Sequence, residues 1–464
     1  MLRVRARYLW LAILALLLSG CGSSDLKSWH TRSLSAEYSG SKADEVQDLA
    51  DYLRLEDALF AQLDARIYAN TPSGPQYALE RYSSGSAADP RRRDPDWNRS
   101  FELGRDNDAG GVLLLHGMSD SPYSLRALGQ SLADRGYRVL GLRLPGHGTI
   151  PAGLASVQWE DMADVVALGM THLRRQLGEA PLHIIGYSNG AALAIDYALA
   201  AEGAAMPASL VLLSPSIGVS RVAALASWKR WMSYVPGLRR LAWTGLGPEF
   251  DPYKYNSFAT NAAEQVHLIT RSINRRITQD ERAGQRLPPT LVLKSAVDAT
   301  VSLDAVVDRF LLHLAPNQHE LVVFDINRFA PTTSLMREHP GPITRRLLED
   351  EALPFSVTLV GNESQESRAV VAAHKPPFSG RPEKVQPLAI DWPQGVFSLS
   401  HGALPFPPDD PLYGRYPPEN RDQLFLGYQA MQGERGVLSI SPNFLLRLRH
   451  NPFYGYMKSR VLDW

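Results

Sequence analysis

Cysteine is nearly absent: the chain of 464 residues holds one, at position 21. It therefore has no disulfide of its own and no thiol chemistry in its interior. Charge of either sign is not in excess, since 48 Lys and Arg balance 48 Asp and Glu. A neutral chain without a basic cluster or interleaved aromatics has no electrostatic footprint for nucleic acid, and none is expected as a partner. His, Cys, Asp and Glu do not fall at metal-ligand spacing, so neither a metal nor an organic cofactor is expected. There is no internal repeat. What remains is ordinary globular composition, 44% hydrophobic and 21% charged. That suits one large decorated domain, or one with a small appendage.

The N-terminus reads as a targeting segment. Arg3, Arg5 and Arg7 precede an apolar run from Tyr8 to Leu18, which meets the small residues Ser19-Gly20-Cys21. A basic start, a short apolar stretch and small residues describe a secretory signal. The run is shorter than the roughly 20 apolar residues a membrane span requires. Leu18-Ser19-Gly20-Cys21 resembles a bacterial lipobox. The resemblance implies that residues 1–20 are a lipoprotein signal and that Cys21 is lipidated as the mature N-terminus. Gly22 stands where an Asp would mark inner-membrane retention, so the implied location is the cell envelope, at the outer membrane facing the periplasm. Residues 21–108 form a tether and N-terminal extension. Ser23 to about Gly40 is polar and is expected to be flexible. Val46, Leu49, Leu53, Leu59 and Leu63 recur at helical spacing and predict a docking helix within Ala43 to Tyr68.

From Ala109 the chain alternates strand and helix. Val112 to Leu115 is a continuous apolar run, as in a strand covered on both faces. Strands are predicted again at Tyr137–Leu140, Leu182–Ile185, Leu210–Leu213, Thr290–Leu293 and Glu320–Phe324, with helical patterns between them. Repeated βα units make the fold class α/β: a mostly parallel central sheet with helices on both faces. Two segments interrupt it. Residues 217–287 carry Trp228, Trp231, Tyr234 and Trp243 between two strands and read as an inserted helical cap. Residues 327–393 are a second insertion, with an extra strand expected at Ser356 to Val360 and a polar, proline-rich stretch at Lys375 to Pro387. The core is then 109–216 and 288–464.

Gly186-Tyr187-Ser188-Asn189-Gly190 follows the strand at Leu182 and precedes the small-residue run Ala191 to Ala194. At ordinary Gly and Ser frequencies a chain this long would carry about 0.2 copies of G-x-S-x-G by chance. Context is what raises it: strand, tight turn and helix project a serine hydroxyl into a cleft. A serine nucleophile needs a base, an acid to orient that base, and donors for an oxyanion. These parts belong on loops at the carboxyl edge of the sheet. Of twelve histidines, His401 ends an apolar strand late in the chain, in the order Ser, Asp, His. His116 and His147 precede the serine and suit loop shaping. His339 and His374 lie in the insertion, and His319 lies at the wrong edge of the sheet. Asp298, just past the strand at Leu291, is the candidate acid, and Asp325 is its rival at the next strand end. Backbone N–H groups of Met118 and Asn189 are the candidate oxyanion donors.

Leu115-His116-Gly117-Met118-Ser119-Asp120-Ser121-Pro122, Leu142-Arg143-Leu144-Pro145-Gly146-His147-Gly148-Thr149 and the Ser188 pentapeptide together resemble the bacterial monoacylglycerol lipase and carboxylesterase group of α/β-hydrolases. That group is also classed with serine aminopeptidase-like hydrolases. Tyr187 and Asn189 stand where His and Met are more usual. The resemblance implies an α/β-hydrolase fold and a serine hydrolase of carboxylic esters, with a small-molecule ester or lipid such as a monoacylglycerol or lysophospholipid as substrate. Ser188 would be nucleophile, His401 base and Asp298 acid. The competing readings are a peptidase or amidase on the same fold and a non-catalytic envelope scaffold.

Overall fold

The structure is a computed structural model that describes residues 26–105, 108–218, 239–298, 300–329, 341–420, 423–427 and 448–464. The signal segment, Cys21, Trp228, Trp231, Tyr234 and His339 lie outside the described residues.

Twelve strands are seen in the described residues: β1 (Phe101–Leu103), β2 (Gly110–Leu115), β3 (Tyr137–Leu142), β4 (Leu182–Tyr187), β5 (Ser209–Leu213), β6 (Trp243–Gly245), β7 (Phe258–Ala259), β8 (Thr290–Ser295), β9 (His319–Phe324), β10 (Ser356–Asn362), β11 (Ala369–Lys375) and β12 (Lys384–Asp391). All but β6 and β7 join one sheet in the order β1-β3-β2-β4-β5-β8-β9-β10-β11-β12. Pairing is parallel from β3 to β10 and antiparallel at both ends. Every residue of β2, β5, β8 and β9 is buried. That is why these strands read as unbroken apolar runs rather than alternating ones.

The strand period of two divides the core between the two faces of the sheet. Leu113, Leu115, Ile184, Leu212 and Val292 face one side. There they meet the helices α1 (Leu49–Arg66), α3 (Trp159–Leu177), α4 (Asn189–Ala200), α5 (Thr260–Gln279), α6 (Leu303–Arg309) and α7 (Gly341–Glu349). Val112, Leu114, Ile185, Leu213 and Phe324 face the other side, against α2 (Arg126–Ala133) and the C-terminal α8 (Tyr454–Asp463). The architecture is the expected α/β sandwich.

Three segments sit differently from expectation, or only partly match it. The stretch from Leu26 to Gly40 is docked rather than free: Trp29, Leu34, Ala36 and Tyr38 are buried, and Glu37 pairs with Arg143. Its apolar residues are isolated among polar ones and follow no period, so composition alone hides the packing. Within residues 327–393, the expected strand is β10, which adds parallel to β9. The proline-rich stretch then continues the sheet, because β11 and β12 pair in turn. β12 is largely exposed and carries Pro387, which an edge strand tolerates because one side of its backbone needs no partner. Of the described part of residues 217–287, Trp243 and β6–β7 lie outside the main sheet. Ile269, Ile273 and Ile277 of α5 pack into the main core.

Candidate active site

β4 delivers Ser188 to the carboxyl edge of the sheet, and α4 begins at the next residue. Ser188 adopts φ 55° and ψ −112°, a left-handed conformation that costs a non-glycine residue on the order of 1–3 kcal/mol. The flanking glycines show why the turn is possible. A Cβ on Gly186 would stand 2.5 Å from Ala191 N, and one on Gly190 only 2.1 Å from Leu115 O. The elbow is thus pressed directly against the end of β2. The Ser188 N–H donates to Leu213 O at 2.9 Å, and its side chain is nearly buried.

The loop after β2 lies on the same elbow, since a Cβ on Gly117 would be 3.3 Å from Ser188 Cβ. Met118 follows in that loop, and Asn189 is the first residue of α4, whose N-terminal end carries partial positive charge. His116 is buried and serves this loop: Leu144 N–H donates to its Nε2 at 3.1 Å, and its Nδ1 lies 2.9 Å from Gly117 O. Burial and the neighbouring His147 hold it well below the usual imidazole range. With both nitrogens engaged in the backbone, His116 shapes the loop.

Asp298 and His401 meet across the site, with His401 Nδ1 2.8 Å from Asp298 Oδ2. Asp298 Oδ1 accepts the N–H groups of Thr300 (2.8 Å) and Val301 (3.1 Å). Burial would push this carboxyl up, but the adjacent His401 and Lys294 outweigh it and hold the group far below the carboxylate range. The rival acid is occupied elsewhere: Asp325 Oδ2 accepts from Arg328 Nε at 2.6 Å. His374 is bonded to Thr358 on β10, and His319 is buried at the start of β9.

The described hydrogen bonds join Ser188 to Ser216 rather than to His401. The two hydroxyls lie 3.2 Å apart, and either can donate. With Ser216 donating, the Ser188 proton stays available to a base. The elbow is tied to the histidine loop through Tyr187, whose hydroxyl donates to His401 O at 3.2 Å and whose ring lies 5.3 Å from the imidazole. This gives the unusual tyrosine of the pentapeptide a structural role.

Residues 106–325, just under half of the chain, match the model of the family described as serine aminopeptidase, S33. The mostly parallel sheet flanked by helices is that of the α/β-hydrolase fold. The chain is similar to a thermostable monoacylglycerol lipase of Bacillus sp. (strain H-257), at 32% identity over 90 residues, 19% of this chain. The chain spans about a third of that relative's length, 35%. Among solved structures, the monoacylglycerol lipase of Paleococcus ferrophilus is 18% identical, with a TM-score of 0.39 over 49% of this chain and 88% of its own. A soluble variant of the monoglyceride lipase of Saccharomyces cerevisiae is 13% identical, with a TM-score of 0.39 over 49% and 82%.

Four residues of this site were not singled out from the sequence. Ser216 holds the Ser188 hydroxyl, and its own carbonyl accepts from Thr270 Oγ1 at 2.6 Å; nothing in the sequence marks it. Tyr187 was visible only as a departure from the usual pentapeptide. Asp120 is buried with Oδ2 unbonded among the described residues. Lys294 is wholly buried and donates to Asp298 Oδ2 at 2.7 Å. Its signal was present, as the one charged residue of β8.

Proposed function

We propose that this protein is a serine hydrolase of carboxylic esters, acting by an acyl-enzyme mechanism on lipid-derived substrates. The observation that carries the reading is the Asp298–His401 hydrogen bond beside a serine on a left-handed elbow. Ser188 Oγ attacks the ester carbonyl carbon while its proton passes to Nε2 of His401, the ring nitrogen left over by Asp298. Asp298 stabilises the imidazolium. Backbone N–H groups of Met118 and Asn189 take the developing oxyanion, aided by the N-terminal end of α4. The imidazolium then protonates the departing alcohol, and a water deprotonated by His401 releases the acid.

The similarity to a thermostable monoacylglycerol lipase favours a monoacylglycerol or a similar single-chain ester. Cys21, in its lipobox-like setting, would anchor the protein at the outer membrane facing the periplasm and bring the site close to such lipids. The direct test is labelling by a fluorophosphonate, which reacts with activated serines. Labelling of the wild type and its loss in Ser188→Ala are expected, with at least a thousandfold fall in ester turnover. An unlabelled wild type would leave a non-catalytic scaffold. A chain-length series of p-nitrophenyl esters against aminoacyl anilides then sets esterase against peptidase, and faster anilide cleavage would overturn the ester reading.

A further inference from the structure

A lysine with no exposed surface is rare unless its charge is matched. Lys294 is such a residue, and its match is Asp298. Nζ lies 2.7 Å from Oδ2, the same oxygen that takes His401 Nδ1 at 2.8 Å. The other oxygen is filled by two backbone N–H groups. The carboxylate therefore faces four donors, two of them on groups able to carry positive charge. An acid whose only task was to orient a histidine would need the histidine and the backbone alone.

We propose that Lys294 is a positioning residue for the Asp298–His401 pair, locking the carboxylate rotamer and offsetting part of the negative charge that faces the imidazole. The inference rests on the serine-hydrolase reading above. Its physics is a competition. A bare carboxylate beside an imidazole favours the imidazolium, which cannot accept the serine proton. An ammonium sharing the same oxygen repels that imidazolium. The two nitrogens are within about 5.5 Å of each other, and at an effective dielectric of about 20 that repulsion moves a titration by roughly two pH units. Among the described residues, Asp298 is the charge that acts on Lys294. His401 is also faced by Asp120, from the loop after β2, and by the Tyr187 phenol, which burial keeps protonated far above neutrality. Asp120, raised to about 6 by burial, titrates within the pH interval of the test below, so its contribution must be removed to see that of Lys294.

The experiment follows the second-order rate of fluorophosphonate labelling from pH 5 to 9, in an Asp120→Asn background, for Lys294 and for Lys294→Gln. The glutamine keeps a donor and removes the charge. The acid limb of the profile is expected to move up by about two pH units, a fall of about a hundredfold at the foot of the limb, with a high-pH plateau within about threefold of the parent. A folded Lys294→Gln protein with its limb at the parent's pH would overturn the proposal, as would a uniform loss at every pH, the sign of a merely structural lysine. An unlabelled wild type would instead sink the hydrolase reading itself. A second measurement does not need the single lysine variant to fold. Asp298→Asn strands the ammonium and is expected to lower Tm by about 3–5 °C, and Lys294→Met/Asp298→Asn to recover most of it. Absence of recovery would show that the two charges are not coupled and would equally overturn the proposal.

Discussion

Asp120 shows how a single side chain near this site can set the pH response of the whole molecule. It is buried, its Oδ2 has no hydrogen bond among the described residues, and its nearest cation, Lys254, stands 3.8 Å away. Burial, against the weaker pull of Lys254, raises the carboxyl from 3.8 to about 6. The folded protein then holds this proton more tightly than the unfolded chain does. The associated stability is complete below about pH 4 and is lost as pH rises through 6. Asp120→Asn removes that decline. We expect the variant to be more stable than wild type at pH 8 by at most about 3 kcal/mol, and equal to it at pH 4, by urea midpoints at both values. Residue identity was legible where chemistry imposes spacing. Gly186 and Gly190 announce the elbow because no Cβ fits there, and the order of Ser188, Asp298 and His401 follows from loops at one sheet edge. Ser216 was not legible, because its role arises from a contact between loops 28 residues apart, whereas Lys294 was visible only as a lone charge in an apolar strand, four residues before Asp298.

At the scale of elements, the loop after β3 is held by the N-terminal extension. Arg143 is 1% exposed. Its Nε donates to Glu56 of α1 at 3.0 Å, its Nη2 to Glu37 at 3.0 Å, and its Nη1 to His147 O at 3.0 Å. Tyr52, also on α1, donates to the Arg143 carbonyl at 2.7 Å. Removing one partner leaves a buried charge short of compensation, so Glu56→Ala should cost about 3–5 kcal/mol in urea unfolding. The histidine loop has a comparable clamp at the other end of the chain. Asn451, fully buried, donates through Nδ2 to Leu404 O at 3.2 Å and accepts from Phe453 N at 2.9 Å. Asn451→Ala should destabilise by about 1–3 kcal/mol and slow labelling of Ser188 more than it weakens substrate binding, which kcat and KM separate. The βα alternation was readable because both faces of each strand are covered. β11 and β12 were not, because a half-wet edge strand containing proline carries no apolar run.

The whole molecule is organised around one sheet with a core on each face, and the two chain ends reinforce opposite faces. Leu49 and Tyr52 of the N-terminal extension belong to the same apolar cluster as α3, α4 and α5. Met457 and Val461 of α8 belong to the cluster beneath the other face, with Trp392 and Phe453. The extension and the tail are therefore parts of the core rather than appendages. Thermal unfolding should be a single transition, with far- and near-ultraviolet circular dichroism coinciding. A separate early transition would mean that one end melts alone. Asp298 and His401, which meet at 2.8 Å, are 103 positions apart in the chain, with β9 to β12 between them. Synthesised from its N-terminus, the polypeptide carries Ser188 and Asp298 long before His401, and Asn451, which ties down the histidine loop, comes later still. On the serine-hydrolase reading proposed above, a nascent chain that has not yet reached His401 is chemically silent. The Ser188 hydroxyl then gains its base only when the segment from His401 to Asn451 has docked, which ties reactivity to a late event in synthesis.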